Sequence, residues 1–200
     1  MTDIEQILIT FADGRLEPGD FEQVLYNDSA LERYLREAPA PEYAGGCSGD
    51  LYVYMLKLDY SDPGDQLNAW GAVKWRLQEN GIPFRPTRRY EEFHRLLLSV
   101  QPKWLDMPTE YFAGSILPAA AAGLSGKELA EWLRGEVKRR FRFVSKPPEW
   151  IQNPAWPIGE NGPLVFLGQF AVKDYFHDEA RVYVFHCPET GDCTTIIQMA

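Results

Sequence analysis

The chain has 200 residues, of which 45% are hydrophobic and 14% aromatic, and it carries a formal net charge of −9. This apolar content can fill a substantial core, which excludes global disorder. Every apolar run is shorter than the roughly 18 residues of a membrane span, and an acidic start without a small-residue cleavage site predicts no signal peptide.

The first 40 residues predict three short helices. Apolar residues at helical spacing predict helices over 3–12 and 18–27. Asp28 or Ser29 can cap a third helix, since short polar side chains accept hydrogen bonds from the first turn. The loop over 38–49 is rich in proline at one end and glycine at the other, which is typical of a hinge or linker.

The middle of the chain predicts one strand followed by helices. The segment 51–60, LYVYMLKLDY, is rich in aromatic and β-branched residues and is therefore predicted to be a strand. Apolar spacing, proline and glycine then predict four helices: from near Pro63 to Gly81, over 88–100, over 108–122, and over 125 to about 143.

The last quarter of the chain predicts three strands, over 163–172, 180–187 and 193–199. The expected fold class is α+β, with a helix-rich first three-quarters packed on a C-terminal antiparallel meander that the strand at 51–60 can join. We expect one domain over residues 1–200. Its two lobes are an acidic helical lobe at 1–46 and a lobe of helices and antiparallel sheet at 47–200.

Charge is polarised along the chain. Residues 1–65 hold 14 acids and 4 bases, residues 66–150 hold 9 acids and 14 bases, and residues 151–200 hold 6 acids and 2 bases. An acidic face repels nucleic acid and anionic membranes and attracts a basic partner. We therefore expect a basic protein partner, with neither nucleic acid nor membrane as a ligand.

Acidic side chains cluster in the motif DYSDPGD. The motif lacks the oxygen ligands and the terminal glutamate of a calcium-binding loop, so capping of the next helix is the structural interpretation. Exposed capping carboxylates can also contact a partner. The acidic residues predicted to do so are Asp59, Asp62, Asp65, Glu17, Asp20 and Glu22.

The segment 150–170, WIQNPAWPIGENGPLVFLGQF, combines two tryptophans with three prolines before an apolar run. The structural interpretation is a rigid lead-in whose indoles cover the end of the sheet, because proline lowers the entropy cost of one loop shape. Tryptophan is also enriched at binding hot spots. Trp156 is therefore added to the predicted partner contacts, as the alternative to a core role.

The cysteines and histidines of the chain form no metal-binding motif in the sequence. Three cysteines, an odd number without a dense framework, predict free thiols in a reducing cytoplasm. Cys187 and Cys193 flank a hairpin loop and can form a redox-sensitive pair. His186 is the sequence neighbour of Cys187 and points to the opposite face of a strand, which argues against a metal site. We expect no metal and no cofactor.

Two further patterns have a structural and a functional interpretation. Cys47 and Ser48, in a glycine-rich loop, are the candidate nucleophiles, but they lack the spacing of a nucleophile turn, and a flexible connector is favoured. No catalytic residue is predicted.

The basic run over 134–146 has two interpretations. It can form a phosphate track, or a solvated helix face paired with neighbouring glutamates, and we favour the second.

Three segments carry a resemblance to known proteins: FADGRLEPGDFEQVLYND, QPKWLD and KPPEWIQNPAWPIGENGPLVFLGQ. Together they resemble small bacterial proteins of unknown-function families that are encoded beside polymorphic or contact-dependent toxins and thought to act as immunity proteins. The resemblance implies a cytoplasmic protein that binds and blocks one toxin domain. A shorter stretch, WP…NGPLVFLGQ, is similar to a bacterial family of unknown function with internally repeated sheets. Neither carries a catalytic motif.

Three functions follow from these patterns. The first is a non-enzymatic binding protein, an immunity protein whose acidic surface occludes a basic toxin domain such as a nuclease. The second is a small-molecule enzyme or sensor, with a pocket near Trp150, Trp156 and Cys187. The third is an adaptor or an oligomeric structural protein, whose oligomeric state the sequence leaves open.

Overall fold

A computed structural model describes residues 2–41, 49–172 and 179–199. Contacts divide the chain into an N-terminal unit, Met1–Leu96, and a C-terminal unit, Leu97–Ala200. The sequence predicts a lobe boundary at 46/47 instead, which lies outside the described residues. No helix in the described part of the chain is both long and apolar enough to cross a bilayer.

The N-terminal unit is helical. Its described helices are α1 (Asp3–Ala12), α2 (Pro18–Asn27), α3 (Ser29–Arg36), α4 (Leu51–Met55), α5 (Pro63–Glu79) and the start of α6 (Arg89–Val100). The predicted bounds of α2 are confirmed, and Asp28 caps α3 by accepting hydrogen bonds from the backbone N–H groups of Ala30 and Leu31. Local propensity and capping therefore define the early helices.

The predicted strand at 51–60 is wrong, because this segment begins as helix α4. Asp50 is the N-cap, and its carboxylate accepts a hydrogen bond from the backbone N–H of Val53 at 2.8 Å. A short apolar run fits the period of a strand and that of a buried helix, so the cap and the tertiary environment decide between them. The buried residues of α4 are Leu51, Tyr52, Tyr54 and Met55.

Aromatic contacts join α1, α2 and α5 in the core of the N-terminal unit. The rings of Phe11 and Phe21, both fully buried, stack with centroids 4.1 Å apart. The indole N–H of Trp70 donates to the carbonyl oxygen of Ala12 at 3.0 Å. Each of these rings removes a large apolar area from water, so they hold the helices of this unit together.

The C-terminal unit combines helices with antiparallel sheets, which confirms the α+β class. After α6 come α7 (Thr109–Tyr111), a π-helical turn (Phe112–Ile116), a 3₁₀ turn (Leu117–Ala119) and α8 (Gly126–Arg140). The strands are β1 (Ile158–Gly159), β2 (Gly162–Pro163), β3 (Val165–Val172), β4 (Ala180–His186) and β5 (Cys193–Met199). The order of the larger sheet is β3-β4-β5, and all of its pairs are antiparallel. The predicted bounds of β5 are confirmed.

Polar groups on the inner face of this sheet hold the loop that follows Glu149. The Tyr183 hydroxyl donates to the Glu149 carbonyl oxygen at 3.0 Å. The side-chain oxygen of Gln198 accepts from the backbone N–H groups of Ile151 (3.2 Å) and Gln152 (3.1 Å). Both side chains are buried, and their polar groups are satisfied by the backbone of this loop.

We expect the substitution Gln198→Leu to lower the free energy of unfolding by about 2 kcal/mol, because it removes three hydrogen bonds between this side chain and the backbone of the loop, at Ile151, Gln152 and Asn153. Urea denaturation followed by far-UV circular dichroism measures the change. The matched control is Thr195→Val, at an exposed position of the same strand, for which we expect a change within about 0.5 kcal/mol. Equal stability of Gln198→Leu and the parent chain would contradict the anchoring role.

Candidate functional site

Two acidic segments of the N-terminal unit meet beside one buried side chain, Tyr60. This residue is 4% exposed, and its hydroxyl donates to the Met55 carbonyl oxygen at 3.3 Å. Burial raises the pKa of the Tyr60 hydroxyl, and the negative charges of Glu22 and Asp65 raise it further. Because Glu22 lies on α2 and Asp65 in the first turn of α5, the fold brings together carboxylates from distant parts of the sequence.

The aspartates of segment 59–65 form a helix cap. Asp62 is the N-cap of α5, and its carboxylate accepts hydrogen bonds from the backbone N–H groups of Gly64 (3.1 Å) and Asp65 (3.3 Å). The Asp65 carboxylate accepts from the backbone N–H of Asp59 at 2.9 Å. The capping role predicted for Asp62 is confirmed, and the cap fixes the positions of the other two carboxylates.

Of the aspartates in this segment, Asp62 and Asp65 are half-buried, and Asp59 is exposed. Its carboxylate accepts hydrogen bonds from the Ser61 hydroxyl (2.6 Å) and the Ser61 backbone N–H (2.8 Å), and these bonds lower the pKa of Asp59. Glu22, Asp59 and Asp65 form no ion pair with any residue that the structure describes. We call these three residues the acidic patch.

Besides Trp156 and the capping residue Asp62, two further predicted partner contacts, Glu17 and Asp20, lie outside the acidic patch. The Glu17 carboxylate is bound by both terminal nitrogens of Arg89, at 3.0 and 3.1 Å, and these bonds lower the pKa of Glu17. The negative charge of Glu17 is therefore paired with the positive charge of Arg89. Asp20 is exposed, but it precedes Glu22 by two residues on α2, about 200° around the helix axis. The two carboxylates leave the helix on different sides.

An exposed aromatic residue adjoins the acidic patch and was missed in the sequence. Tyr26 is 54% exposed, and its hydroxyl donates to the Glu22 carboxylate at 3.4 Å. The two residues are four apart on α2, which places them on one face of the helix. This spacing was the signal in the sequence, but it does not distinguish an exposed tyrosine from a core residue.

A groove of about 320 Å³ lies along α5 and begins next to the acidic patch. Asn68 lines the groove, and its side-chain amide donates to the Asp65 carboxylate at 3.2 Å. Leu67 and Trp75 supply apolar surface, and Lys74 pairs with Glu91 at 3.1 Å. The N-terminal unit therefore presents negative charge beside a partly apolar depression.

Trp156 lies in the core, as the structural interpretation predicts, whereas Trp150 is half-buried. Trp156 is 5% exposed, and its indole N–H donates to the Leu164 carbonyl oxygen at 2.9 Å. The Trp150 indole N–H donates to the Trp104 carbonyl oxygen at 2.8 Å, and its ring lies 4.4 Å from that of Tyr183. The Trp156 ring therefore presents little surface to a partner, and its role as a partner contact stays a prediction.

The predicted small-molecule pocket near Trp150, Trp156 and Cys187 stays a prediction; the Cys187 thiol contacts the Glu189 carboxylate at 3.2 Å. Cys193 lies opposite His186 in the β4-β5 ladder. Because alternate residues of a strand point to opposite faces, the Cys187 side chain leaves on the other side from Cys193. Both thiols are free. Within the described ranges, no three His, Cys, Asp or Glu side chains are arranged to hold a metal ion.

The basic run 134–146 was interpreted as a helix face paired with neighbouring glutamates. Ion pairs on α8 confirm this in part. Glu136 is 8% exposed, and its carboxylate binds Arg139 and Arg140, each at 2.6 Å. Arg142 makes no ion pair with the residues that are described.

The candidate nucleophiles Cys47 and Ser48 lie outside the described residues.

No known protein family, no curated protein and no solved structure matches this chain.

Proposed function

We propose that this protein binds a basic protein partner through the acidic patch and catalyses no reaction. The observation that carries the proposal is the packing of α2 against the segment that holds Asp59 and Asp65, where the rings of Phe21, next to Glu22, and Tyr60 lie 6.1 Å apart. None of the three carboxylates has a cationic partner in the described chain, and a partner with Lys or Arg side chains supplies one on binding. The cap around Asp62 holds two of the three carboxylates in place before binding.

The surroundings of the acidic patch supply contacts that slow dissociation. Tyr26 is exposed, and tyrosine is among the residues most enriched at binding hot spots. The groove along α5 offers Leu67 and Trp75 to an apolar side chain of the partner. Charge then accelerates the encounter of the two proteins, and burial of the aromatic surface sets the lifetime of the complex.

The partner that fits this surface is a protein with a basic groove, such as a nuclease that holds phosphate there. The resemblance to toxin-associated bacterial proteins supports an immunity function in the cytoplasm, in which the acidic patch occludes the groove of a toxin domain. The alternative of an adaptor or oligomeric protein stays a prediction. The outer face of the larger sheet, with Phe170 at 56% and Ile197 at 53% exposure, is the surface that it would use.

A comparative pulldown tests the proposal. The test variant carries Glu22→Gln, Asp59→Asn and Asp65→Asn, which remove three charges and keep an acceptor oxygen at each position. The matched control carries Glu37→Gln, Glu79→Gln and Glu92→Gln, which remove the same charge from exposed positions of the same unit. The bait is incubated with lysate of the source organism at moderate salt.

We expect the parent chain and the control to recover a basic protein, and the test variant to recover at least about 10-fold less of it, since clustered charge changes association rates by about 10- to 1,000-fold. Recovery of no basic protein, or equal recovery by all three baits, would count against the proposal.

A further inference from the structure

The C-terminal unit contains a polar cleft of about 460 Å³ in which three arginines meet. Arg139 and Arg140 come from the last turn of α8, and Arg142 follows the helix end. The opposite walls are formed by Tyr111, by Asn161 between β1 and β2, and by Glu189 between β4 and β5. We call it the arginine cleft.

The end of α8 explains why the arginines share one cleft. Phe141, at the helix C-cap, is fully buried and packs edge-on against Tyr111, with ring centroids 5.9 Å apart. In the next residue, Arg142, the carbonyl oxygen accepts from the backbone N–H of Phe166 at 2.9 Å. With Phe141 anchored in the core and Arg142 held against β3, the flanking guanidinium groups are directed to the protein surface.

Two of the three guanidinium groups are held in place by the chain. The Arg140 Nε donates to Glu136 at 2.6 Å, and a terminal nitrogen of Arg140 donates to the Tyr111 hydroxyl at 3.2 Å. The same Glu136 carboxylate accepts two hydrogen bonds from Arg139, at 2.6 and 2.8 Å. One carboxylate thus orients two cations, and such preorganised groups bind a ligand at a lower entropy cost.

The third guanidinium group has no ion pair with the part of the chain that the structure describes. Arg142 is exposed, and Glu136 already receives three hydrogen bonds from the other two arginines. The cleft therefore holds an excess of positive charge in a chain whose net charge is −9. Because like charges repel one another, an anion in the cleft is stabilised by all three arginines.

The donors in the cleft suit a phosphoryl group. Guanidinium forks match the oxygens of phosphate with paired hydrogen bonds. Tyr111 uses its oxygen to accept from Arg140, which leaves its O–H free to donate to an anion. Asn161 adds amide donors. Gly162 has a φ of 126°, a backbone conformation that favours glycine, in the turn beside the Tyr111 hydroxyl.

We propose that the arginine cleft binds the phosphoryl group of a small molecule, either a phosphate ester or inorganic phosphate. A volume of about 460 Å³ exceeds what one phosphate fills and lies in the range of small-ligand sites. Glu189 in the wall repels a second anionic group and accepts hydrogen bonds from hydroxyl or amino groups. These features favour an ester that carries such groups over the free anion or a nucleic acid strand.

The test is isothermal titration calorimetry of the full chain at low ionic strength. The probes are inorganic phosphate, ribose 5-phosphate, AMP, unphosphorylated ribose and adenosine, and a single-stranded oligonucleotide. The test variant is Arg142→Gln, and the matched control is Lys138→Gln, an exposed residue on α8 outside the cleft lining. Both remove one positive charge, and neither breaks an ion pair of the described chain.

We expect saturable binding of at least one phosphate ester by the parent chain and by Lys138→Gln, and binding at least about 10-fold weaker by Arg142→Gln, since a charge-assisted fork is lost. Tighter binding of the esters than of inorganic phosphate assigns the ligand to the esters; the reverse order assigns it to the free anion. No phosphate-dependent binding, equal weakening by both substitutions, or tighter binding of the oligonucleotide would overturn the proposal. Because all residues of the cleft lie in the C-terminal unit, these outcomes are independent of the acidic patch.

Discussion

Replacing Trp156 with alanine is expected to lower the free energy of unfolding of the C-terminal unit by about 3–5 kcal/mol. The indole lies at the centre of an aromatic cluster, with ring centroids 5.3 Å from Phe185, 5.4 Å from Trp104 and 5.6 Å from Phe141. Truncation leaves a cavity among rings that come from the sheet, a loop and the end of α8. It also leaves the Leu164 carbonyl oxygen without its donor.

The more conservative substitution Trp156→Phe separates the two contributions. It keeps an aromatic ring and removes the indole N–H, so we expect a loss of about 1–2 kcal/mol. Urea denaturation with circular dichroism gives both values. If Trp156→Ala unfolds within 1 kcal/mol of the parent chain, the indole is a surface group and the core assignment is wrong.

Replacing Glu136 with glutamine is expected to lower the free energy of unfolding by about 2 kcal/mol at pH 7. Its carboxylate accepts three hydrogen bonds from Arg139 and Arg140, and Arg140 is only 22% exposed. The amide removes the negative charge that balances these cations and directs an N–H₂ group at their donors. The matched control is Glu128→Gln, an exposed position of the same helix, for which we expect little change.

The effect of Glu136→Gln also depends on pH. Hydrogen bonds from Arg139 lower the pKa of Glu136 to about 2, below its ordinary value of 4.5. Stabilisation by the carboxylate is therefore fully present above pH 4.5 and is lost as the pH falls towards 2. We expect the stability difference between the parent chain and the variant to shrink over this window. A difference that stays constant from pH 7 to pH 2 would show that the charge has no role.

The sequence predicts elements whose determinants are local. Pro18 in the first turn of α2 and Asp62 at the cap of α5 are visible in the sequence and act within a few residues. The hairpin of β4 and β5 has the same basis, because turn residues separate two β-rich runs. The strand predicted over 51–60 was wrong, because the apolar run there is too short for its periodicity to distinguish a strand from a buried helix.

Elements that depend on distant partners could not be predicted. Gln198 reads as an ordinary polar residue of an edge strand, yet it is buried and holds a loop more than 40 positions earlier in the chain. The pairing of Glu17 with Arg89 joins residues 72 positions apart, and no local pattern signals it. The sequence therefore shows an excess of acidic residues. The fold determines which carboxylates pair with a cation of the same chain, as Glu17 does, and which form the acidic patch.

The measurement that tests the acidic patch most directly is the association rate constant with the purified basic partner as a function of salt concentration. We predict that the rate constant of the parent chain and of the Glu37, Glu79 and Glu92 control falls steeply as salt rises, because screening weakens steering over about 10 Å at 0.1 M salt. The variant with Glu22→Gln, Asp59→Asn and Asp65→Asn should associate more slowly at low salt and depend less on salt. Equal rates and equal salt dependence in all three proteins would contradict binding through the acidic patch.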